Sequence, residues 1–554
     1  MRKHKSLIPL VIAAVMITLL FSGCGGLVNT MESGTISFES NGGSTISPKE
    51  AVGYIEEPDA PIKYGYTFTG WFCDEACTNS WNFSLDLIEG DMTLYAGWVT
   101  NRVTYESNGA DSGDTPSPQT KVYGQNLTLA TNSGNLSKNG YLFIGWNTAA
   151  DGSGTDYLEG TSYSTDSSLI LFAKWIEIKE LLASDGAADD RFGYAISIDG
   201  DTAVIGSYGD SGNSGSAYIF TRSGTTWSQQ AKLVPDDGVA GDQFGWAVSL
   251  SGDTAVIGAQ QDDDRGEDSG SAYIFTRSEN SWTQQAKLIA SDGGIYEYFG
   301  ATVCIEEDTI VIGSYGDNNY AGSAYIFTRS GTTWSQQQKL TVSDGANSDF
   351  FGKSLSISGD TLVIGAYYND EGGSNSGSAY VFTRTGTTWS QQQKLMASDG
   401  VRDEKFGYAV SIDGDTIAIG APNDRANGLD SGSAYVFTRL DSIWTQQDKL
   451  TAGDGETEDK FGYAISIDDN TVVIGAPFED EKGSNSGSAY IFTRSGTTWS
   501  QQVKLTTPDG VANDCFGHQV YIDGDIVLTG VYGKDDNGTD SGAVYSFDVS
   551  SVVE

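Results

Sequence analysis

The chain has 554 residues, and its 74 Asp and Glu residues outnumber its 31 Lys and Arg residues, which gives a formal net charge of −43. A charge of this sign repels nucleic acids and anionic membranes, and it favours cations or basic partners. Five cysteines are too few for a disulfide scaffold in a chain of this length. Of the two histidines, one lies in the first five residues, so histidine triads and histidine-rich zinc sites have at most one participant in the rest of the chain, His518.

The N-terminal segment, residues 1–23, has the pattern of a signal peptide. Basic residues precede a run of about 15 apolar residues from Leu7 to Phe21, which is too short to span a bilayer comfortably. The small residues just before Cys24 resemble a bacterial lipobox, and this resemblance implies that Cys24 becomes the lipidated N-terminus of an exported protein. Cleavage nearby without lipidation of Cys24 is the alternative. We expect a linker at 24–33 and membrane attachment through the N-terminal lipid only.

Two related segments follow, at residues 34–99 and 100–175. Both contain the pattern Gly-Tyr-x-Phe-x-Gly-Trp between strand-like runs, at residues 65–71 and 140–146. They resemble the Listeria-Bacteroides repeat of bacterial surface proteins, and this resemblance implies two small β-grasp-like modules. Cys73 and Cys77 lie close enough in sequence for a bridge in an oxidising compartment, and two free thiols in one loop are the alternative.

From residue 175 to residue 554, a unit of about 50 residues occurs seven times. Inside each unit, four short runs rich in Val, Ile, Tyr, Phe and Thr alternate with period two, and Asp-Gly or a similar pair separates the first two runs. Seven units of four antiparallel strands are typical of an all-β fold, the seven-bladed β-propeller. Each unit contains a Phe-Gly pair, whose phenylalanines are Phe192, Phe244, Phe299, Phe351, Phe406, Phe461 and Phe516.

The seventh unit lacks its fourth strand at the C-terminal end. In the other units this strand begins with a Trp that stands ten residues before an Asp-Gly pair, and Trp175 stands ten residues before Asp185. We therefore predict that residues 175–184 supply the missing strand and close the ring by pairing with the C-terminal strands. Closure would remove the strand edges that an open array of blades would expose. The alternative is an open ring.

Phe-Gly followed by Gly-Ala-Pro, as at Phe406 with 420–422, resembles the FG-GAP repeat. This repeat forms the blades of integrin α-chain propellers and of many bacterial surface proteins. The resemblance covers all seven units and implies the fold, whereas a fold alone does not assign a function. Integrin-type blades that hold calcium carry an Asp-x-Asp-x-Asp-Gly loop, and here that position is a tight turn such as 413–415. We therefore do not expect that calcium site.

Another acidic pattern repeats in every unit as Asp-Gly-x-x-x-acid-x-Phe-Gly. By strand order, these loops connect successive blades and share a face with the variable loops between second and third strands, so this face should be densely negative. We interpret the repeated acids as caps of turn N–H groups. They are Asp185, Asp190, Asp237, Asp242, Asp292, Glu297, Asp344, Asp349, Asp399, Glu404, Asp454, Asp459, Asp509 and Asp514.

The alternative for the acidic loops is that some of them bind a divalent cation such as Ca2+. Aspartates of the variable loops are the candidate ligands, and the run from Asp262 to Asp264 is the best single candidate. The full set of candidates is Asp262, Asp263, Asp264, Asp424 and Asp480.

The sequence thus predicts a non-enzymatic, lipid-anchored, monomeric surface protein. Its propeller would bind or adhere to a protein or glycan partner through the acidic, loop-variable face, because specificity usually resides in loops that differ between blades. A first alternative is a lectin-like propeller that uses Tyr208, Trp246, Tyr315 and Tyr368. A second alternative is a polysaccharide-degrading enzyme, because a catalytic carboxylate pair cannot be recognised by counting acids.

Overall fold

The computed structural model describes residues 33–553. The chain divides into two compact units, of which the first holds residues up to 108 with 114–134 and 146–172, and the second holds 109–113, 135–145 and 173 onwards. Within the described residues, no helix is long and apolar enough to cross a membrane. The expected signal peptide, the lipidation site Cys24 and nearly all of the expected linker lie outside the described residues.

The first unit contains small sheets made of short strands. The first repeat forms a sheet of order β2-β1-β4-β3 in which β1 and β4 are parallel, and its buried core includes Trp71 and Leu94. Its strands are β1 (Ser33–Glu39), β2 (Lys49–Val52), β3 (Tyr66–Phe72) and β4 (Met92–Thr100). Cys77 carries a free thiol, so the bridge between Cys73 and Cys77 is not formed.

The second repeat contributes seven strands, two of which, β8 and β11, continue into residues of the second unit. These strands are β5 (Arg102–Glu106), β6 (Gln119–Thr120), β7 (Leu127–Thr128), β8 (Tyr141–Asn147), β9 (Asp156–Tyr157), β10 (Ser162–Tyr163) and β11 (Leu169–Leu181). β5 pairs with the start of β11 in parallel, with Val103 opposite Leu169. The parallel pair therefore occurs in both repeats.

The second unit consists of seven four-stranded antiparallel sheets, which confirms the predicted seven-bladed propeller. Blades 1 to 3 are formed by β12 (Ala195–Asp199), β13 (Thr202–Ser207), β14 (Ser216–Ser223), β15 (Thr226–Leu233); β16 (Phe244–Ser251), β17 (Thr254–Ala259), β18 (Ser271–Ser278), β19 (Ser281–Leu288); and β20 (Thr302–Glu306), β21 (Thr309–Ser314), β22 (Ser323–Ser330), β23 (Thr333–Leu340).

Blades 4 to 7 follow the same plan. They are formed by β24 (Ser354–Ser358), β25 (Thr361–Ala366), β26 (Ser378–Thr385), β27 (Thr388–Leu395); β28 (Val410–Asp413), β29 (Thr416–Ala421), β30 (Ser433–Leu440), β31 (Ile443–Leu450); β32 (Ala464–Asp468), β33 (Thr471–Ala476), β34 (Ser488–Ser495), β35 (Thr498–Leu505); and β36 (Gln519–Asp523), β37 (Ile526–Val531), β38 (Ala543–Asp548) with β11. Helical structure within the described residues is confined to the short turns α1 (Asp210–Asn213), α2 (Asp317–Tyr320) and α3 (Ser550–Val553).

Burial explains why the second strand of each blade is apolar throughout. A blade packs between two neighbours, so both faces of its second strand are covered, and all six residues of β33, TVVIGA, are buried. The fourth strand, β35, exposes Thr498 and Ser500 and buries Trp499 between them. A continuous apolar run therefore marks an inner strand, and an alternating run marks an outer strand.

The Phe-Gly pair fixes the contact between neighbouring blades. Phe244 is fully buried, and its ring lies edge-on to Tyr273 of its own blade with the ring centroids 5.4 Å apart. It belongs to one core cluster with Ala217 and Ile219 of the preceding blade. Gly245 has a φ of 89°, and a Cβ atom on it would lie 2.2 Å from the carbonyl oxygen of Ser216 in the preceding blade. Any other residue is excluded there by backbone conformation and by the close approach of that carbonyl.

The fourth strand of blade 7 is β11, which comes from the N-terminal side of the propeller. It pairs antiparallel with β38, with Ile178 opposite Phe547, and it ends at Leu181, slightly earlier than expected. A parallel bridge between Phe192 and Gly542 joins blade 7 to blade 1 in the way that equivalent bridges join the other neighbouring blades. This is the strand pairing that the predicted closure of the ring requires.

Side chains at the ends of the first strands link each blade to the next around the axis. In each case a side-chain oxygen of one blade accepts a hydrogen bond from a backbone N–H in the first hairpin of the next blade. The Gly252 N–H donates to Asp199 and the Gly200 N–H donates to Asp523, both at 2.6 Å. The other oxygens of the series belong to Ser251, Glu306, Ser358, Asp413 and Asp468. Each hairpin therefore depends on its neighbour for a backbone hydrogen bond.

Candidate functional site

The loop face of the propeller is formed by the loops between successive blades and the loops between second and third strands. In blades 1 to 6, a lysine of the fourth strand pairs with acids from both kinds of loop, and we call this arrangement the lysine clamp. In blade 2, the Lys287 Nζ lies 2.8 Å from Asp237, 2.9 Å from Asp262 and 2.6 Å from Asp264. The clamp lysines are Lys232, Lys287, Lys339, Lys394, Lys449 and Lys504.

In blades 1 to 5 the clamp favours the charged form of the first acid of the repeated motif, whose pKa is lowered. Burial raises the pKa of Asp237, but the hydrogen bonds from Lys287 and Tyr273 and the charge of Lys287 together outweigh burial. The Tyr273 hydroxyl donates a further hydrogen bond to Asp237 at 3.0 Å. The first acids that pair with a clamp lysine are Asp185, Asp237, Asp292, Asp344, Asp399 and Asp454. Internal ion pairs therefore compensate much of the negative charge on this face.

The second acid of the repeated motif accepts a hydrogen bond from a backbone N–H of its own loop, as a turn cap does. Asp242 accepts from the Val239 N–H at 2.8 Å, and Asp459 accepts from the Glu456 N–H at 2.7 Å. Burial raises the pKa of Asp459 to about 6. The acids with this bond are Asp190, Asp242, Glu297, Asp349, Glu404, Asp459 and Asp514.

In blade 2, a lysine occupies the position at which sequence analysis places a cation. Lys287 stands between Asp262, which is buried, and Asp264, which is exposed. Asp263 points to its own loop, where it accepts the Asp268 N–H at 2.8 Å. Two of the three consecutive carboxylates thus have an ammonium group as their counter-ion.

The remaining candidate ligands, Asp424 and Asp480, lie on blades 5 and 6. Asp424 is buried, and it pairs with the clamp lysine Lys449 at 2.8 Å. Asp480 is exposed and accepts the Asn485 N–H at 2.7 Å. The five candidate ligands are therefore distributed over three blades and do not form one site.

Blade 7 has the charges of the clamp exchanged. Glu180 stands on β11 at the position of the clamp lysine, and Lys534 stands in the loop at the position that Asp424 has in blade 5. The Lys534 Nζ lies 2.8 Å from Asp509, and the Tyr545 hydroxyl donates to Glu180 at 2.8 Å. Carboxylate oxygens of Glu180, Asp509 and Asp536 lie within 4.8 Å of one another. Burial, together with these like charges, raises the pKa of Glu180 to about 7.

At the centre of the loop face, the residues that directly follow the Phe-Gly pairs surround the entrance of the central channel. We call this ring the mouth, and it consists of Tyr194, Trp246, Ala301, Lys353, Tyr408, Tyr463 and His518. These residues line a cavity of about 270 Å³.

Aromatic contacts run round most of the mouth. Ring centroids are 4.7 Å apart for Trp246 and Tyr194, and 4.8 Å apart for Tyr194 and His518. The series continues with 5.2 Å between His518 and Tyr463 and 4.9 Å between Tyr463 and Tyr408. Five of the seven positions therefore present an aromatic ring, and such rings combine a large apolar area with polar edges.

Lys353 occupies the part of the mouth where the aromatic series is interrupted. Ala301 in the adjacent blade leaves space, and the Lys353 Nζ lies 4.6 Å from the ring centroid of Tyr315 and 5.6 Å from that of Trp246. No carboxylate within residues 33–553 forms an ion pair with Lys353. Burial lowers the pKa of Lys353 to about 8, so the ammonium is charged at neutral pH without an internal counter-ion.

His518 is a buried polar member of the mouth. Its side chain is 9% exposed, and its Nδ1 has no hydrogen-bond partner among the described residues. Burial lowers the pKa of His518 to about 4, and the nearby positive charge of Arg191 acts in the same direction. The imidazole is therefore neutral at pH 7, and it offers a polar atom that a ligand or water can satisfy.

Of the aromatic residues proposed for the lectin alternative, the structure places Trp246 in the mouth. Tyr208 packs on Trp246 with centroids 4.9 Å apart, Tyr315 contacts the mouth lysine, and Tyr368 is not part of the cavity lining. The other six mouth residues were missed by sequence analysis, although the repeat carries a signal for them. The position after Phe-Gly holds Tyr, Trp, Ala, Lys or His, while the Phe-Gly pair itself does not vary.

Comparison with known families identifies the repeat. A family model described as the FG-GAP repeat matches seven segments that cover more than half of the chain, at residues 175–220, 227–275, 282–327, 334–382, 389–437, 444–492 and 499–547. The chain belongs to the FG-GAP repeat family. In this FG-GAP repeat protein each match begins at the Trp of a fourth strand, so the first match begins on β11. The Listeria-Bacteroides repeat domain matches residues 35–97 and 102–174, so the resemblances to these two repeat families are confirmed.

Similar proteins are known from two bacteria. The chain is 43% identical over 167 residues to a protein of Evansella cellulosilytica that carries only the general name of membrane protein, and 39% identical over 145 residues to a Gly-rich membrane protein of the same organism. It is 31% identical over 150 residues to internalin H of Listeria monocytogenes. These matches cover 28%, 26% and 26% of this chain, and the chain spans a quarter or less of the length of each relative.

Proposed function

We propose that this FG-GAP repeat protein is a non-enzymatic, lipid-anchored surface protein whose propeller binds a protein or glycan through its loop face. The mouth is the observation that carries this proposal. It places five aromatic rings around an open cavity, in the middle of a face on which most of the repeated acids are held in clamps and turn caps. Aromatic residues supply a large contact area at a low cost in conformational entropy, and they are enriched at binding surfaces.

The relatives support a location at the cell surface. Two of them are named as membrane proteins, and the third is an internalin. The Listeria-Bacteroides repeats lie in sequence between the expected anchor at Cys24 and the propeller, which suits a spacer that carries a binding domain. Radiolabelled palmitate should label the wild-type protein in cells but not Cys24→Ala, and equal labelling of both would remove the anchor from the proposal.

The composition of the mouth favours binding over hydrolysis. Glycosidases place two carboxyl groups about 5 to 9.5 Å apart on either side of the scissile bond. The described residues that line the mouth cavity include no Asp or Glu. The many carboxylates of the loop face lie in the surrounding loops, where backbone N–H groups and lysines engage them.

A binding experiment with matched tryptophan variants tests the proposal. The purified protein is applied to an array of bacterial and host-surface glycans and to a panel of extracellular proteins. Trp246→Ala should weaken any specific binding by about tenfold or more, because buried aromatic residues dominate binding energies. Trp227→Ala, on a fourth strand at the outer rim, is the control and should retain binding. The proposal fails if no ligand binds, or if both variants bind as the wild-type protein does.

A further inference from the structure

We propose that the mouth binds a sugar residue that bears a carboxylate, with Lys353 as the counter-ion of that carboxylate. This inference rests on the proposed function, because it assigns a ligand class to the loop face. It goes further by stating the charge of the ligand, which is opposite to the charge that the net composition of the chain favours.

Lys353 differs from the clamp lysines of the same face in lacking a partner. Each clamp lysine has two or three carboxylates within ion-pair distance, as Lys287 and Lys504 do. Lys353 has no ion pair with a described residue, and its ammonium group lies over the faces of Tyr315 and Trp246. A buried charge without a counter-ion is costly. A ligand carboxylate that enters the cavity would supply the missing counter-ion, and a charge-assisted hydrogen bond would form.

The surroundings of Lys353 disfavour a cationic ligand. Aromatic cages typically attract cations, but here Lys353 already occupies the position over Tyr315 and Trp246. A second cation would meet the like charge of Lys353 at short range. Arg191, which lies over Tyr532 beside the mouth, is paired with Asp540 at 3.2 Å and does not change this balance.

The rest of the mouth fits a sugar ring. The aromatic faces of Tyr194, Trp246, Tyr408 and Tyr463 can pack against the C–H face of a pyranose, while their polar edges and the unpartnered Nδ1 of His518 can satisfy hydroxyl groups. The cavity of about 270 Å³ is slightly smaller than typical sites for drug-sized ligands, about 300–1,000 Å³. It therefore suits a single ring, such as the terminal uronic acid of a polysaccharide.

Matched pairs of sugars test the charge. Methyl glucuronide is compared with methyl glucoside, and methyl galacturonide with methyl galactoside, by titration into the purified protein at pH 7 and low salt. Wild-type protein should bind the uronide of at least one pair more tightly than its neutral partner. Lys353→Met should weaken uronide binding by about ten- to a hundredfold and leave the neutral glycoside unchanged, since only the charged hydrogen bond is lost.

Two controls separate this effect from unfolding and from general charge. Lys482→Met removes an exposed lysine of a blade 6 loop and should leave both affinities unchanged. Lys353→Met should melt no lower than the wild-type protein, because it removes a charge that has no internal partner. An Ala301→Tyr variant, which fills the gap in the mouth, should block both sugars of a pair.

Several outcomes would overturn the inference while leaving the proposed function intact. Equal uronide affinity of wild type and Lys353→Met would show that Lys353 does not hold the carboxylate. An acidic peptide that binds in a Lys353-dependent manner, with no uronide bound at 10-fold the peptide concentration, would assign the mouth to a protein ligand. Absence of any sugar binding, together with an array ligand that depends on Trp246, would also reject the inference. Absence of both kinds of binding would reject the proposed function as well.

Discussion

Blades 1 to 6 and blade 7 share one backbone plan, but they hold their loop face together with opposite charges. In the first six blades a lysine on the fourth strand meets acids in the loops, as Lys449 meets Asp399 and Asp424. In blade 7, Glu180 occupies the strand position and Lys534 the loop position. The two positions thus carry opposite charges in both kinds of blade, with the sign at each position reversed in blade 7.

The exchange also changes which charged groups of blade 7 have an ion-pair partner. Asp262 in blade 2 shares its lysine with two other acids, whereas Lys534 has one ion-pair partner among residues 33–553, Asp509. Glu180 is left beside Asp509 and Asp536. In blade 2 all three acids of the clamp contact the ammonium group of Lys287, whereas in blade 7 Glu180 faces two carboxylates. The stability of blade 7 should therefore respond differently to mutation and pH.

The largest expected effect separates a closed ring from an open one. Leu181 on β11 and Leu288 on β19 occupy the same position of their blades, and both are almost fully buried. If β11 closes the ring, Leu181→Ala and Leu288→Ala should each lower the free energy of unfolding by about 3 kcal/mol, because each leaves a core cavity. Urea denaturation measures both variants. A loss of less than about 1 kcal/mol in the free energy of unfolding for Leu181→Ala alone would mean that β11 and β38 are not paired in solution.

An intermediate effect compares the two kinds of clamp. Lys287→Met leaves the buried Asp262 without its ion-pair partner, so it should lower the free energy of unfolding by about 2 kcal/mol. Lys534→Met leaves only Asp509, a more exposed carboxylate, and should cost about 1 kcal/mol. Denaturant midpoints of the two variants give the comparison, and equal losses would contradict a difference between the clamps.

The same lysine variant tests whether the acidic loops can hold calcium. Removing the ammonium group of Lys287 leaves Asp237, Asp262 and Asp264 facing one another without a cation. Millimolar Ca2+ should therefore raise the Tm of Lys287→Met by more than that of the wild-type protein, since a ligand that binds only the folded state stabilises it. EDTA should reverse the increase. A large calcium-dependent rise in the wild-type protein would instead mean that other loops bind the ion.

The smallest expected effect concerns the pH dependence of blade 7. The pKa of Glu180 in the folded protein is raised from 4.5 to about 7, so its protonation contributes stability that is lost as the pH rises through this range. Glu180→Gln keeps an acceptor for Tyr545 but does not ionise. Its Tm should equal that of the wild-type protein at pH 4 and exceed it by about 1 °C at pH 8, a small gain because solvent still reaches the Glu180 carboxylate and screens its charge.

A neighbouring acid on the same strand controls for a general loss of charge. Glu177 pairs with Lys179 at 2.8 Å and does not belong to the clamp. Glu177→Gln should leave the difference in Tm between pH 4 and pH 8 unchanged. If both glutamine variants show the same gain at pH 8, the effect comes from net charge and not from the environment of Glu180.

The propeller could be predicted in detail because its constraints are local and repeated. Phe244 must fill the space between blades, and Gly245 must avoid the Ser216 carbonyl, so the pair appears in every unit. The position of Trp175 relative to Asp185 also predicted which strand pairs with β38. These residues recur in every unit because any change at their positions removes packing or creates a clash.

The mouth and the clamps could not be predicted in the same way. Lys287 and Asp262 are far apart in sequence, and only the curvature of the blade places the lysine between the two sets of loops. To predict the mouth, one must know which strand of each blade lies nearest the axis, and at which face of the propeller that strand begins. Net charge describes the chain as a whole, so it gave no sign that Lys353 lies in a cavity whose described lining residues include no acid.

The mouth has a consequence for how this protein can diversify. The Phe and the Gly recur in every blade, but the next residue lines the mouth, and it varies among the blades from Ala301 to Trp246. Seven codons, one in each blade, thus form a combinatorial set that determines the lining of one cavity. Single substitutions there would change the lining of the cavity, while the rest of the propeller stays the same.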